Sequence, residues 1–403
     1  MYRSILATLA MLIVCTAVPA RAQSCLAGDG VTLWLDFEGA GVVEAASDDS
    51  SAMPVQSRLA PTSAVVPPFD SAPSAPQVTR DQAIASVVDR VRTLLQPYAV
   101  SVVTTRPAYA PYTRILIGGT QTTIGLSSIE AGLAEIDCGN AIDNDVAFDF
   151  AAEQTPDFGG VVGIANVAAH EAGHTFGLEH VTTPTDVMYA AASPDLTLPQ
   201  LFTLSFSGGA YTSYGGAAAS VCGNDPADEV ALLDCNVGAA DDDGDTTPPT
   251  LNWPDAAAEV PTSFLVSVGA SDDVGVTRVE FYKNLELVAS VSTPPYTATI
   301  TAASSEQFYV TVEAIDDAAN RATITRAFAA AAASSTPIDA GVTVGGTVPP
   351  IMEAPAVTSS GCSMTGRAAP DSAGPFAIGL ALCALGALRN RRRQRRVASE
   401  RAL

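Results

Sequence analysis

All three histidines of this 403-residue chain fall within one short run, His170-Glu171-Ala172-Gly173-His174-Thr175-Phe176-Gly177-Leu178-Glu179-His180. Any fold the chain adopts has to satisfy that spacing. On a helix, positions four apart share a face, so His170 and His174 aim their imidazoles at a common point. Gly177 lets the backbone turn where a residue with a Cβ resists, which carries His180 back toward the same point. Three neutral imidazoles leave a fourth position for water, the donor set of a catalytic rather than a structural zinc. Glu171, beside the first ligand, is placed to take a proton from that water and pass it to a leaving amine. A bare His-Glu-x-x-His arises often by chance; Gly177 and His180 at these spacings are what make the run specific.

The residues around this run predict an α+β domain. Val31 to Phe37 reads as a strand, and Gly39 to Pro76, rich in Ser, Pro and Ala, as a long loop or a short pro-like segment. Ile84, Val87, Val88, Val91, Leu94 and Leu95 recur at helical spacing between Thr79 and Pro97. Val100 to Thr105, Arg114 to Ile117 and Val146 to Phe150 are short β-branched or apolar runs. The order implies a mixed, twisted sheet backed by one helix, with a second helix over Val167 to Phe176 capped by Asn166 and carrying the chemistry. Val146 to Phe150 is the expected exposed edge strand, along which an extended peptide could pair.

The extended motif matches the metzincin superfamily of zinc proteases at every fixed position. Val167-Ala-Ala-His-Glu-x-Gly-His-x-x-Gly-Leu-x-His, followed by Asp186-Val187-Met188-Tyr189, resembles the matrixin branch. The resemblance implies a methionine turn with Met188 as the apolar floor under the imidazoles, and Tyr189 lining the pocket for the side chain after the cut. No Pro-Arg-Cys-Gly-type latency segment is present. Calcium sites of the family do not carry over residue by residue, but Asp137, Asp143, Asp145 and Asp149 suggest a structural calcium near the sheet.

Beyond the acidic, Pro-rich stretch Asp241 to Pro249 the pattern changes to short alternating strands over Phe264–Val268, Thr277–Tyr282, Leu287–Val291, Tyr296–Ile300, Phe308–Ala314 and Ala322–Phe328. Ser271-Asp-Asp-Val-Gly-Val-Thr-Arg-Val-Glu-Phe-Tyr and Ala314-Ile-Asp-Asp-Ala-Ala-Asn resemble a bacterial immunoglobulin-like domain. Such a module is most simply a spacer or docking unit, so small-peptide hydrolysis is expected to survive removal of residues 248–361. The expected organisation is 1–22 signal peptide, 23–247 catalytic domain, 248–330 immunoglobulin-like all-β sandwich, 331–361 Ala/Pro/Ser/Thr spacer, and 362–403 sorting or membrane segment.

The ends indicate export. Ile5 to Val18 is apolar and closes with Ala20-Arg21-Ala22, a signal-peptidase pattern. Pro375 to Leu388 is an apolar run of 14 residues before an arginine cluster, short against the roughly 20 that span a bilayer. With Gly361-Cys362-Ser363 ahead of it, this segment resembles the myxobacterial C-terminal sorting signal, which implies cleavage near Cys362 and display at the cell envelope or release. A plain tail anchor is the alternative. Between the ends, 10 basic residues face 41 acidic ones, a balance that excludes nucleic acid as a partner. Cys25, Cys138, Cys222 and Cys235 form an even set in an exported chain, hence two disulfides with three possible pairings; Cys222 with Cys235 and Cys25 with Cys138 is the expected one.

Together these features predict a monomeric, exported zinc endopeptidase acting on proteins or peptides. Two other functions fit the same residues: a surface adhesin that keeps a non-catalytic metal site, and a zinc amidase acting on cell-wall peptides.

Overall fold

The computed structural model describes residues 30–127, 130–189, 198–213, 216–217, 219–223, 228–240 and 244–332. The signal region, Cys25, Cys362 and the whole C-terminal segment lie outside the described residues. Among the described residues no helix is long and apolar enough to cross a membrane.

Strand β1 (Val31–Asp36) is followed by β2 (Ala40–Glu44), β3 (Val55–Ser57) and β4 (Ala64–Val66). Residues 39–76, expected as a loop, thus contain a small sheet of order β3-β2-β4. Val42, Val55, Leu59 and Val66 are too sparse to show a period, yet each is buried against Leu116, Phe148 and Phe150 on the outer face of the main sheet. Helix α1 (Arg80–Leu95) starts where Thr79 and Gln82 cap one another: Gln82 N–H donates to Thr79 Oγ1 at 3.3 Å, and Thr79 N–H to Gln82 Oε1 at 3.0 Å. Its face of Ala83, Val87, Val91 and Leu95 is buried.

Next come β5 (Val100–Val103), β6 (Thr113–Ile117), β7 (Gly132–Leu133), β8 (Val146–Asp149), the helix α2 (Gly160–Thr175) that carries His170 and His174, α3 (Leu198–Leu201), β9 (Thr212–Ser213), β10 (Gly216–Ala217) and α4 (Glu229–Asn236). The main sheet has the order β5-β1-β6-β8-β7, parallel throughout except for β7. The expected edge strand is therefore corrected: β8 is covered by the antiparallel β7, a Gly-Leu pair too short to signal a strand in sequence. Alternation divides the two faces. Ile115, Ile117 and Ala147 point toward the helices, whereas Leu116, Val146 and Phe148 point toward the small sheet.

Helix α2 begins at Gly160, seven residues before the expected Val167. Val161, Val162, Ile164 and Ala165 are buried and extend the helix backwards. Asn166 does not cap it; its Nδ2 donates to Leu201 O at 3.1 Å and ties α2 to α3.

The second domain comprises β11 (Thr250–Asn252), β12 (Glu259–Val260), β13 (Ser263–Ser271), β14 (Val276–Lys283), β15 (Glu286–Val291), β16 (Tyr296–Thr301), β17 (Gln307–Asp316) and β18 (Arg321–Ala330). They form sheets of order β11-β13-β16 and β12-β18-β17-β14-β15, closing over Val266, Phe281, Ile300, Val312 and Phe328. This is the α+β domain followed by an immunoglobulin-like sandwich that the pattern predicted.

The sandwich is not held at a distance. Tyr282, Leu285 and Leu287 belong to the same buried core as α1 and α2. Around that contact lies a desolvated ionic network. Arg90 of α1, 4% exposed, pairs with the fully buried Glu313 and lies 5.1 Å over the Phe202 ring. Arg278 pairs with Asp89 of α1 and with Glu280 at 2.8 Å; Ser86 Oγ donates to Glu280 Oε2 at 3.1 Å. Burial alone would raise the Glu280 carboxyl, but Arg278 and then Arg321 outweigh it and hold it at about 2. Charges buried in this way are tolerable only while their partners are present. A module sharing its core with α1 and α2 is more than a passive spacer, and a chain ending at residue 247 is expected to fail to accumulate as folded, soluble protein. In the full chain, Arg90→Ala should cost about 1.5–3 kcal/mol, because it removes one of the two arginines that pair with the buried Glu313 and leaves Arg321 as its remaining cation. Denaturant unfolding measures this, and a loss under about 1 kcal/mol would place little weight on the contact.

Candidate metal centre

Helix α2 delivers His170 and His174 on one face and then stops in a backbone lock. Leu178 N–H donates to Gly173 O at 2.8 Å and Gly177 N–H to His174 O at 3.0 Å, a pattern that requires a left-handed residue between them. Gly177 supplies it with φ +91°, and a Cβ there would lie 2.9 Å from Asp137 O. The chain reverses, and His180 Nε2 comes to 3.1 Å from both His170 Nε2 and His174 Nε2.

The tautomers follow from the outer contacts. His170 Nδ1 lies 2.6 Å from Val187 O and His174 Nδ1 lies 2.9 Å from Leu178 O. A carbonyl only accepts, so each Nδ1 carries the proton and each Nε2 turns its lone pair inward. Burial, then the charge of His174, pushes His170 down to about 3; burial pushes His174 down to about 4. Burial and the two other rings hold His180 far below its ordinary range. Three neutral nitrogens this close suit one small cation: Zn–N bonds of about 2.0–2.1 Å in a tetrahedron put ligand nitrogens roughly 3.3 Å apart. Among the described residues, the other group able to surround an ion is Asp245, Asp272 and Asp273.

The carboxylates named for calcium do not assemble into such a group. Asp143 is exposed, and Asp137 and Asp145 gather with Asp48 and Glu135 near Arg58. Asp149 lies apart from them, under α2, because strand alternation puts it on the helix side with Ala147.

Met188 is fully buried beneath α2; a Cβ added to Gly173 would lie 2.5 Å from its sulfur. The turn carrying it is tied by Asp186, whose Oδ1 accepts from Met188 N–H at 2.7 Å and whose Oδ2 accepts from Ser207 N–H, Ser207 Oγ–H and Gly208 N–H at 2.7–2.8 Å. Glu229 of α4 packs against Asp186. Burial, then that carboxylate, pushes Glu229 up to about 10, so it is a neutral acid. Tyr189 is half-buried and pairs through its backbone with Val181, beside the turn.

Glu179, inside the motif but assigned no role from sequence, accepts from Val221 N–H at 2.6 Å, Cys222 N–H at 3.0 Å and Ser220 Oγ–H. It holds a strap that is also bonded covalently, since Cys138 pairs with Cys222. The expected pairing of Cys222 with Cys235 is therefore wrong. Closeness in sequence is overridden by Cys235 sitting in α4 while Cys222 is drawn to Glu179; Cys235 is itself disulfide-bonded. Glu171 is fully buried, and a Cβ on Gly132 of β7 would lie 2.4 Å from Glu171 Oε1.

Family models match two parts of the chain: Matrixin over residues 131–201 and Bacterial Ig domain over residues 250–325. These matches support a metzincin-like metallopeptidase domain joined to an immunoglobulin-like domain. No curated protein matches the chain. Among solved structures, the fibronectin(III)-like modules of CbhA from Clostridium thermocellum are 20% identical over 24% of this chain and 53% of that one, so about half of that chain is spanned, with TM-score 0.21. The PKD1 domain of the Vibrio cholerae metalloprotease PrtV is 13% identical over 21% of this chain and 99% of that one, with TM-score 0.17. OgpA from Akkermansia muciniphila is 11% identical over 77% and 98%, with TM-score 0.20.

Protons compete with a metal only as pH approaches the ligand pKa. With His170 and His174 held at about 3 and about 4, zinc content should stay near one per chain down to about pH 5 and fall steeply below it. Metal analysis after dialysis across a pH series tests this; loss of half the metal at pH 6 would contradict buried, neutral ligands. Separately, Gly132→Ala should displace Glu171 and lower kcat at least tenfold while leaving zinc content unchanged.

Proposed function

We propose that this chain is an exported zinc-dependent endopeptidase that cuts proteins or peptides, with His170, His174 and His180 as metal ligands and Glu171 as general base. The observation that carries the proposal is the convergence of three Nε2 atoms, that of His180 lying 3.1 Å from those of His170 and His174, with the buried Glu171 next to His170 on the same helix. When bound, zinc would polarise the scissile carbonyl and bring the pKa of water toward about 7.

The protein's own residues do the rest. Val187 O and Leu178 O keep the imidazoles oriented, and Met188 fills the space below them with a group that neither donates nor ionises. Strand β7, the outer member of the sheet, offers backbone N–H and C=O groups to an extended peptide, which binds it without regard to sequence. Glu171, pressed against Gly132 of that strand, takes the proton from the attacking water and passes it to the leaving amine. Export accords with the Cys138–Cys222 disulfide. Residues 362–403 would direct the protein to the cell envelope, with release after cleavage near Cys362.

Glu171→Gln should bind one zinc and lose at least about 10²–10⁴ in kcat on casein or a fluorogenic peptide, the span general-base catalysis supplies. Chelation should abolish wild-type activity and added zinc restore it. Full activity of the Gln variant, or a wild-type protein that holds zinc and cuts no peptide bond, would refute the assignment. The second outcome would instead favour an adhesin, and activity confined to peptidoglycan peptides would favour an amidase.

A further inference from the structure

Asp149 is the last residue of β8 and is completely buried, and neither carboxyl oxygen has a hydrogen-bond partner. A carboxylate in that position would forfeit its hydration for nothing, so the surroundings must supply a use for it as an acid.

Three independent features say what it faces. First, β8 and β7 are antiparallel, with Asp149 directly opposite Gly132, so the two share a face of the sheet with Cβ positions about 5 Å apart. Second, the Cβ position of Gly132 is 2.4 Å from Glu171 Oε1 and 2.8 Å from Glu171 Cγ, which puts the Glu171 side chain over that same pair. Third, Ala147, two residues earlier on β8, packs in the core beneath α2, so the face in question is the one the active-site helix covers. The absent side chain of Gly132 makes room for two carboxyl groups to meet. Burial, and then the charge of Glu171, raise Asp149 well above the usual carboxylate range, and no cation offsets them. Two buried carboxyl groups side by side share a proton in preference to carrying two charges, and Asp149, whose oxygens meet no donor, is placed to hold it.

On the premise that Glu171 is the general base, we propose that Asp149 is a positioning residue: a neutral acid whose O–H donates to the Glu171 carboxylate and fixes its rotamer against Gly132. Asp149 does not touch the substrate or exchange a proton with it. It holds the base in one orientation, so that the other carboxylate oxygen is the one presented to water.

The role separates from simple core filling because an amide can replace the donor, whereas an alkyl group cannot. The experiment compares Asp149→Asn and Asp149→Ala in the full chain, with zinc content, melting temperature, kcat and KM on one fluorogenic peptide. Asp149→Asn should keep kcat within about threefold. Asp149→Ala should hold one zinc and an unchanged KM and lose at least tenfold in kcat; if it does not accumulate as folded protein, Asp149→Val takes its place. The proposal is overturned if Asn loses as much kcat as the alkyl variant, if the alkyl variant keeps wild-type kcat, or if its loss appears in KM or zinc content. Glu171→Gln assayed alongside keeps the premise separate: an active Gln variant removes the general base itself, while an inactive one beside a fully active Asp149→Ala removes only the positioning role.

Discussion

Three imidazole nitrogens meet where water cannot solvate them, with His180 Nε2 3.1 Å from the other two, and gathering them costs free energy that the surrounding protein must offset before any ion arrives. Much of this domain is arranged to meet that cost. Main-chain carbonyls of Val187 and Leu178 grip the outer nitrogens, the left-handed turn at Gly177 returns the chain, and Asp186 gathers four donors to keep the methionine turn closed beneath. Glu229 approaches Asp186 as a neutral acid, so the tie does not bring a second buried negative charge. A cation at the centre turns that cost into a gain, which is why metal binding and folding are coupled in sites of this kind.

The same management of buried charge explains the position of the immunoglobulin-like domain. A strongly acidic chain has few cations to spend, and three of its ten arginines and lysines between the termini, Arg90, Arg278 and Arg321, converge on Glu280, Glu313 and Asp89 where α1 meets β14 and β17. The three guanidinium side chains are almost fully desolvated, so neither domain can present its half of the network to water and remain as it is. The hairpin between β14 and β15 places Leu285 and Leu287 in the core that also receives Ile164 and Ala168 of α2. The sandwich is in this sense a wall of the domain that carries the histidines and not an appendage, although its sequence pattern is that of an ordinary immunoglobulin-like module.

What the sequence by itself determined is what depends on near neighbours along the chain. Four-residue spacing puts His170 and His174 on one helical face, glycine is what a left-handed turn needs at 177, apolar recurrence marks α1, and alternation marks the long strands of the sandwich. Those features rest on local sterics and short-range hydrogen bonds, so they can be read wherever the residues stand. Tertiary structure alone decided the rest. The Cys138–Cys222 bond, β7 lying outside β8, the small sheet made from residues 39–76, the earlier start of α2, the strap under Glu179 and the meeting of Asp149 with Glu171 each join residues far apart in sequence. Their energies come from excluding water between surfaces that meet only after folding, and a linear pattern carries no record of which distant surface that will be.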